Sequence, residues 1–219
     1  MSPASTPGPI DRDITFRGAK GPLPGRLRVP VGARGIVLFA HGSGSSRFSP
    51  RNRQVAGALE EVALATFLFD LLDETEAADR RLVFDIELLG RRLLAATDRI
   101  ADEPGASELP VGYFGASTGA AAALVAAAER QDVRAVVSRG GRPDLAGSAL
   151  ARVRVPTLLI VGGADLEVLR LNEEALARLP GEKRLEVVPR ASHLFEEPGA
   201  IERVAELAAA WFAGHLPTA

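Results

Sequence analysis

The chain has 219 residues, no cysteine and a formal net charge of −2. That length suits a single α/β domain and is long enough to bury a sizeable core. The charge balance leaves no basic footprint for nucleic acid, and the lack of cysteine excludes disulfides, thiolate metal sites and a cysteine nucleophile.

The first 11 residues are rich in Pro and Ser and read as a loose tail, leaving 12–219 as one domain. The start lacks the basic stretch and apolar core of a signal peptide. No apolar run approaches the roughly 18 residues of a membrane span, so a cytoplasmic protein without membrane contact is expected. "DITFRG" and "GRLRVP" alternate like the strands of an edge hairpin, joined by the loop "AKGPLPG". "RGIVLFAHG" is a continuous apolar run that suits a strand buried on both faces. Ser49 and Pro50 then mark a helix start, as N-cap and first helical residue.

From here helix and strand alternate. "LATFLFDL" reads as a buried strand, and residues 79–100 as one helix carrying Leu82, Ile86, Leu89, Leu93 and Ile100. "LPVGYFG" is a strand, followed by an alanine-rich helix. "VRAVVSRGG" and "VPTLLIVGG" are further strands. "NEEALARLP" is a short helix, "KRLEVVP" a strand, and the segment from Pro198 onward an amphipathic helix. Such alternation predicts an α/β fold: a mainly parallel sheet with helices on both faces and a minimal lid or none.

The strand-to-helix junction holds "GASTG", a match to G-x-S-x-G. A sharp turn there strains the serine backbone and lifts its hydroxyl above the sheet. Ser117 is therefore the candidate nucleophile, with a plain helix cap as the alternative reading. A serine needs a base, and on this topology the partners follow in the order Ser, acid, His. Of the three histidines, His41 precedes Ser117. His215 ends the last helix and reads as a solvated terminal residue. His193, in the loop "PRASHLFEEPG", suits a base. Asp165, at the end of "PTLLIVGGAD", is the favoured acid; Glu167 and Asp144 are its rivals, and a helix N-cap is its alternative role. "FAHGSGSSRF" suits the second oxyanion loop, so the backbone N–H groups of Ser43 and Thr118 are expected to form the hole, with His41 shaping the loop. That loop lacks both nucleotide-binding glycine patterns. Arg47, Arg51 and Arg53 crowd its mouth, and Arg139 follows another strand at the same edge. Arg47, Arg51 and Arg139 are candidates for binding an anionic group of the substrate. No metal or other cofactor is expected.

"HGSGSSRFSPRNR", "GASTG", "VGGADLEVLRLN" and "ASHLFEEPG", in that order, resemble the dienelactone-hydrolase-like branch of the α/β-hydrolase superfamily over residues 13–215. The resemblance implies a sheet of about eight strands and a triad of Ser117, Asp165 and His193. Members that act on dienelactone use cysteine where this chain has serine, which argues against dienelactone itself as substrate. Related domains are sometimes joined to a phosphoribosyltransferase, so a separate phosphoribosyltransferase is a candidate partner. The expected activity is hydrolysis of a small ester, lactone or thioester. Acyl transfer by the same residues, and a non-catalytic binding role on the same fold, are the alternatives. The oligomeric state stays open.

Overall fold

The structure is a computed structural model and describes residues 8–18 and 21–216. Residues 1–7 of the expected tail, and Ala19 and Lys20 of the expected hairpin loop, lie outside the described residues. The first strand, β1 (Ile10–Arg17), begins inside the stretch read as a tail, because Ile10 pairs with Val29 of β2 (Pro22–Val29). The hairpin loop is also shorter than "AKGPLPG", since Pro22 and Pro24 belong to β2. Pro24 accepts a hydrogen bond from Asp70 N through its carbonyl. Its imide nitrogen faces the same flank, just past the end of the neighbouring strand, where the missing N–H costs little.

The remaining strands are β3 (Ile36–Ala40), β4 (Ala65–Phe69), β5 (Val111–Ala116), β6 (Val133–Arg139), β7 (Thr157–Gly162) and β8 (Lys183–Val188). They form one eight-stranded sheet in the order β1-β2-β4-β3-β5-β6-β7-β8. β1, β2 and β4 pair antiparallel, and every other neighbouring pair is parallel. The C-terminal ends of β3, β5, β6, β7 and β8 consequently share one edge.

Helices cover both faces. α1 (Pro50–Glu61) starts as expected, with Ser49 Oγ accepting from Asn52 N at 3.3 Å. α2 (Glu74–Ala78) precedes the stretch expected to be a single helix over 79–100, which is instead α3 (Arg80–Val83) and α4 (Ile86–Ala101). Asp85 breaks it: its side chain accepts from Leu88 N and starts a new helix, as Asp79 starts α3 by accepting from Arg81 N. α5 (Thr118–Glu129) is alanine-rich because it is buried nearly all round, with Ala120–Ala123 and Ala126 fully covered. α6 (Leu166–Arg178) begins earlier than "NEEALARLP", directly after Asp165. α7 (Ala200–His215) closes the described chain. Between β6 and β7 runs a 3₁₀ segment, Pro143–Arg152.

The core is double. β1 to β7 contribute Phe16, Leu38, Phe67 and Tyr113 to one face, against α4, α5 and α6. Phe39, Phe114, Val137 and Ile160 line the other face, against α1 and α7. Each large apolar side chain so buried contributes about 1.5–3 kcal/mol. This double layer fixes the sheet edge to which all the candidate residues belong.

Candidate active site

Ser117 follows β5 with φ 51° and ψ −120°, a conformation that L-residues rarely adopt. Its backbone is held on both sides: Ser117 N donates to Arg139 O at 3.3 Å, and Ser117 O accepts from Ala120 N and Arg142 N at 3.1 Å each. The two glycines of the motif make this turn sterically feasible. A Cβ on Gly115 would lie 2.4 Å from Ala120 Cα, and one on Gly119 would lie 2.1 Å from Ala40 O. Ser117 occupies the N-cap position of α5, yet its side chain makes no capping bond. The helix-cap alternative is therefore not realised.

Asp165 repeats that pattern. It is the N-cap of α6 and makes no side-chain capping bond. Its Oδ2 lies 2.7 Å from His193 Nδ1 instead. A carboxylate only accepts, so Nδ1 carries the proton and neutral His193 keeps its free lone pair on Nε2. His193 is part-exposed and Asp165 is largely buried. The β8–α7 loop that carries His193 is pinned by Glu197, whose carboxylate accepts from Ser192 N at 3.0 Å. That bond draws the Glu197 carboxyl below its ordinary pKa. Of the rival acids, Asp144 is taken by Arg142 in a two-pronged pair at 2.8 and 2.7 Å. Glu167 lines the cavity but does not reach His193.

Ser117, His193, Ser43 and Thr118 all border one cavity of about 240 Å³. Among the described residues, the Ser43 and Thr118 backbone N–H groups have no acceptor, and Ser117 and His193 share no direct hydrogen bond. His41 behaves as expected of a loop-shaping residue. Its Nε2 accepts from Leu71 N at 3.1 Å, which leaves Nδ1 to donate to Gly42 O at 3.0 Å. Burial lowers its pKa and favours this neutral form. His215 departs from expectation. It is part-buried, its ring 4.3 Å from that of Trp211, and Nδ1 donates to Trp211 O at 2.7 Å.

The arginines separate. Arg47 is spent within the protein: its N–H and its guanidinium both bind Asp70, and the guanidinium carbon sits 4.0 Å from the Phe48 ring centroid. One guanidinium nitrogen of Arg47 thus already holds an internal carboxylate. Arg51 reaches Glu196 at 3.3 Å. Arg139 is buried, and two of its nitrogens have no partner among the described residues.

Sequence reasoning missed the walls of the site. Arg142, Phe84, Val168 and Leu171 line the first cavity. A second cavity of about 340 Å³ shares Ser43 and Thr118 with it and has an apolar wall of Leu71, Leu72, Ala77, Val83 and Leu89. Those residues come from segments with no motif, the β4–α2 junction and the helices α2, α3 and α4 that follow it.

A serine in a strained strand-to-helix turn, an Asp–His pair at the same sheet edge and this strand order define an α/β-hydrolase fold. The chain is 57% identical to a dienelactone hydrolase from Anabaena variabilis, whose crystal structure superposes with a TM-score of 0.92 over 96% of this chain and 100% of that one. The chain belongs to the dienelactone-hydrolase-like family of the α/β-hydrolase superfamily. It resembles in fold the esterase domain of a Rhodothermus marinus protein, at 20% identity and a TM-score of 0.76, covering 94% of this chain and 99% of that domain. It is also 60% identical, over 208 residues, to proteins of two Mycobacterium tuberculosis strains named "Putative phosphoribosyl transferase". The match covers 94% of this chain but only 47% of those relatives. No family model matches the chain. Among the described residues, no helix is long and apolar enough to cross a membrane.

Proposed function

We propose that this chain is a serine hydrolase that cleaves a small ester, lactone or thioester. His193 Nε2 takes the Ser117 proton as Oγ attacks the carbonyl carbon. Asp165 holds the imidazole in the required tautomer and stabilises its protonated form. The Ser43 and Thr118 N–H groups bind the oxyanion, aided by the positive end of α5. His193 returns the proton to the leaving group, and the acyl group remains on Ser117. Water, deprotonated by His193, then releases the acid and restores the serine.

The observation that carries this reading is that Ser117 and Asp165 both hold helix N-cap positions and neither caps. Asp165 turns to His193 at 2.7 Å instead. The name of the Anabaena relative supports a hydrolase. The two adjoining cavities favour a compact substrate with an apolar arm among Leu71, Leu72 and Val83. Intact mass after fluorophosphonate treatment tests the reading. One adduct on the wild type, none on Ser117→Ala, and p-nitrophenyl acetate turnover lost in the variant are expected. A folded wild type that takes no adduct favours a binding role on this fold.

The mycobacterial relatives extend well beyond the matched stretch. Given their name, a phosphoribosyl transferase is the proposed partner activity. Size-exclusion chromatography of this chain mixed with the unmatched part of the mycobacterial protein tests it, and independent elution of the two would argue against association.

A further inference from the structure

Arg139 ends β6, and by strand alternation its side chain shares the face of Val137, toward α1 and α7. It is only 8% exposed, and neither Nε nor Nη1 has a partner among the described residues. Its guanidinium carbon lies 5.8 Å from the ring centroid of Phe195, in the loop that carries His193. Arg51, in the first turn of α1, reaches Glu196 at 3.3 Å, and its own Nε is buried without a partner. Two guanidinium groups therefore converge on one two-residue stretch, and the nearby carboxylate, Glu196, is 63% exposed.

An arginine stays charged at neutral pH, so Arg139 cannot relieve its position by losing its proton. Burial, and the neighbouring Arg51 charge after it, depress its pKa to about 10, still far above neutrality. Unpaired guanidinium nitrogens and like charges at close quarters are each unfavourable, and one species resolves both: an anion with two or more oxygens, matching the planar fork of the side chain. The α1 N-terminus adds positive potential at the same place. Neither arginine lines the cavity beside Ser117, although the Arg139 carbonyl accepts from Ser117 N behind it.

We propose that Arg139 and Arg51 form a receptor for an oxyanion, a carboxylate or phosphate group, against Phe195 on the α1 side of the His193 loop. The proposal does not depend on the catalytic reading.

Thermal unfolding in inorganic phosphate, against chloride at equal ionic strength, tests it on the wild type, Arg139→Met and the exposed-site control Arg53→Met. The wild type and the control should show a saturable rise in Tm with phosphate. Arg139→Met should lose that rise while unfolding, without phosphate, no earlier than the wild type. No saturable rise in the wild type, an equal rise in Arg139→Met, or an Arg139→Met protein much less stable without phosphate would each overturn the proposal. The last would show that the guanidinium has an internal partner. Turnover of a p-nitrophenyl ester bearing a distal carboxylate, beside its neutral homologue, separates the two sources. If the oxyanion belongs to the substrate, Arg139→Met lowers kcat/KM for the charged ester by about tenfold or more and spares the neutral one. If it is a free ion, the Tm shift appears and the ratio of the two esters is unchanged. Fluorophosphonate labelling of Arg139→Met reports separately on Ser117.

Discussion

The Asp165 carboxylate leaves the end of α6 uncapped and binds His193 Nδ1 at 2.7 Å. A capping role would serve stability, whereas this arrangement fixes an imidazole tautomer. Asp165→Asn is expected to lower turnover by about 10⁴-fold, because the amide can stabilise the wrong tautomer. Its unfolding free energy should change by less than about 1 kcal/mol, since no cap bond is lost. Urea melts alongside p-nitrophenyl acetate kinetics read both. Retained turnover with marked destabilisation would assign Asp165 to structure.

Ser117 carries backbone strain, with φ at 51°. Replacing it by glycine removes the clash of Cβ with the backbone, while replacing it by alanine keeps it. Ser117→Gly should therefore be more stable than Ser117→Ala by about 1 kcal/mol, the relief of strain less the entropy of glycine. Both should be inactive. Equal stabilities would mean that the turn is unstrained.

Two glycine substitutions should act in opposite directions. A Cβ at Gly119 would lie 2.1 Å from Ala40 O and 2.5 Å from His41 O, both backbone atoms that cannot swing away. Gly119→Ala should cost more than about 3 kcal/mol or prevent folding. Gly57, inside α1, has nothing within 4 Å of its missing Cβ. Gly57→Ala should stabilise by about 0.5–1 kcal/mol, read from the same urea melts.

His41 gives a pH signature. Its ordinary pKa is 6.5, and burial lowers it in the folded state. The unfolded chain therefore binds the proton more readily, and stability rises with pH between the folded and unfolded values. Acidification below about pH 6.5 should remove this contribution, as protonated Nε2 can no longer accept from Leu71 N. His41→Gln, whose amide oxygen can still accept, should flatten the slope of unfolding free energy between pH 5 and 7. An unchanged slope would place the effect on other groups.

Arg92 and Glu76 form an ion pair at 2.9 Å with both side chains buried. It ties α2, which supplies Ala77 to the second cavity, to α4. Arg92→Met leaves Glu76 buried and unpaired and should cost about 3–5 kcal/mol. Adding Glu76→Leu should recover most of that loss. A double variant no better than the single one would show that packing, not charge, is what the pair supplies.

The strand–helix alternation, the Ser49–Pro50 helix start and the glycine-framed Ser117 turn were legible in the chain, because each rests on neighbours in sequence. Apolar runs bury themselves on both faces of a parallel sheet, and a tight turn needs glycine wherever it occurs. The candidates Ser117, Asp165 and His193 followed from topology: β5, β7 and β8 run parallel, so their C-terminal loops meet at one edge. What local pattern could not decide was competition between partners far apart in sequence. Arg47 looked as unpaired as Arg139, but Asp70, 23 residues away, binds its N–H and one guanidinium nitrogen. His215 looked solvated until the packing of α7 brought Glu182 to 3.3 Å from its ring. Local pattern also missed that Asp85 would break the helix expected over 79–100 by capping Leu88 N, a contest that apolar spacing does not register. Composition and periodicity set which segments must be buried. The fold alone set which charges were neutralised, and Arg139, whose Nε and Nη1 have no partner among the described residues, is visible only there.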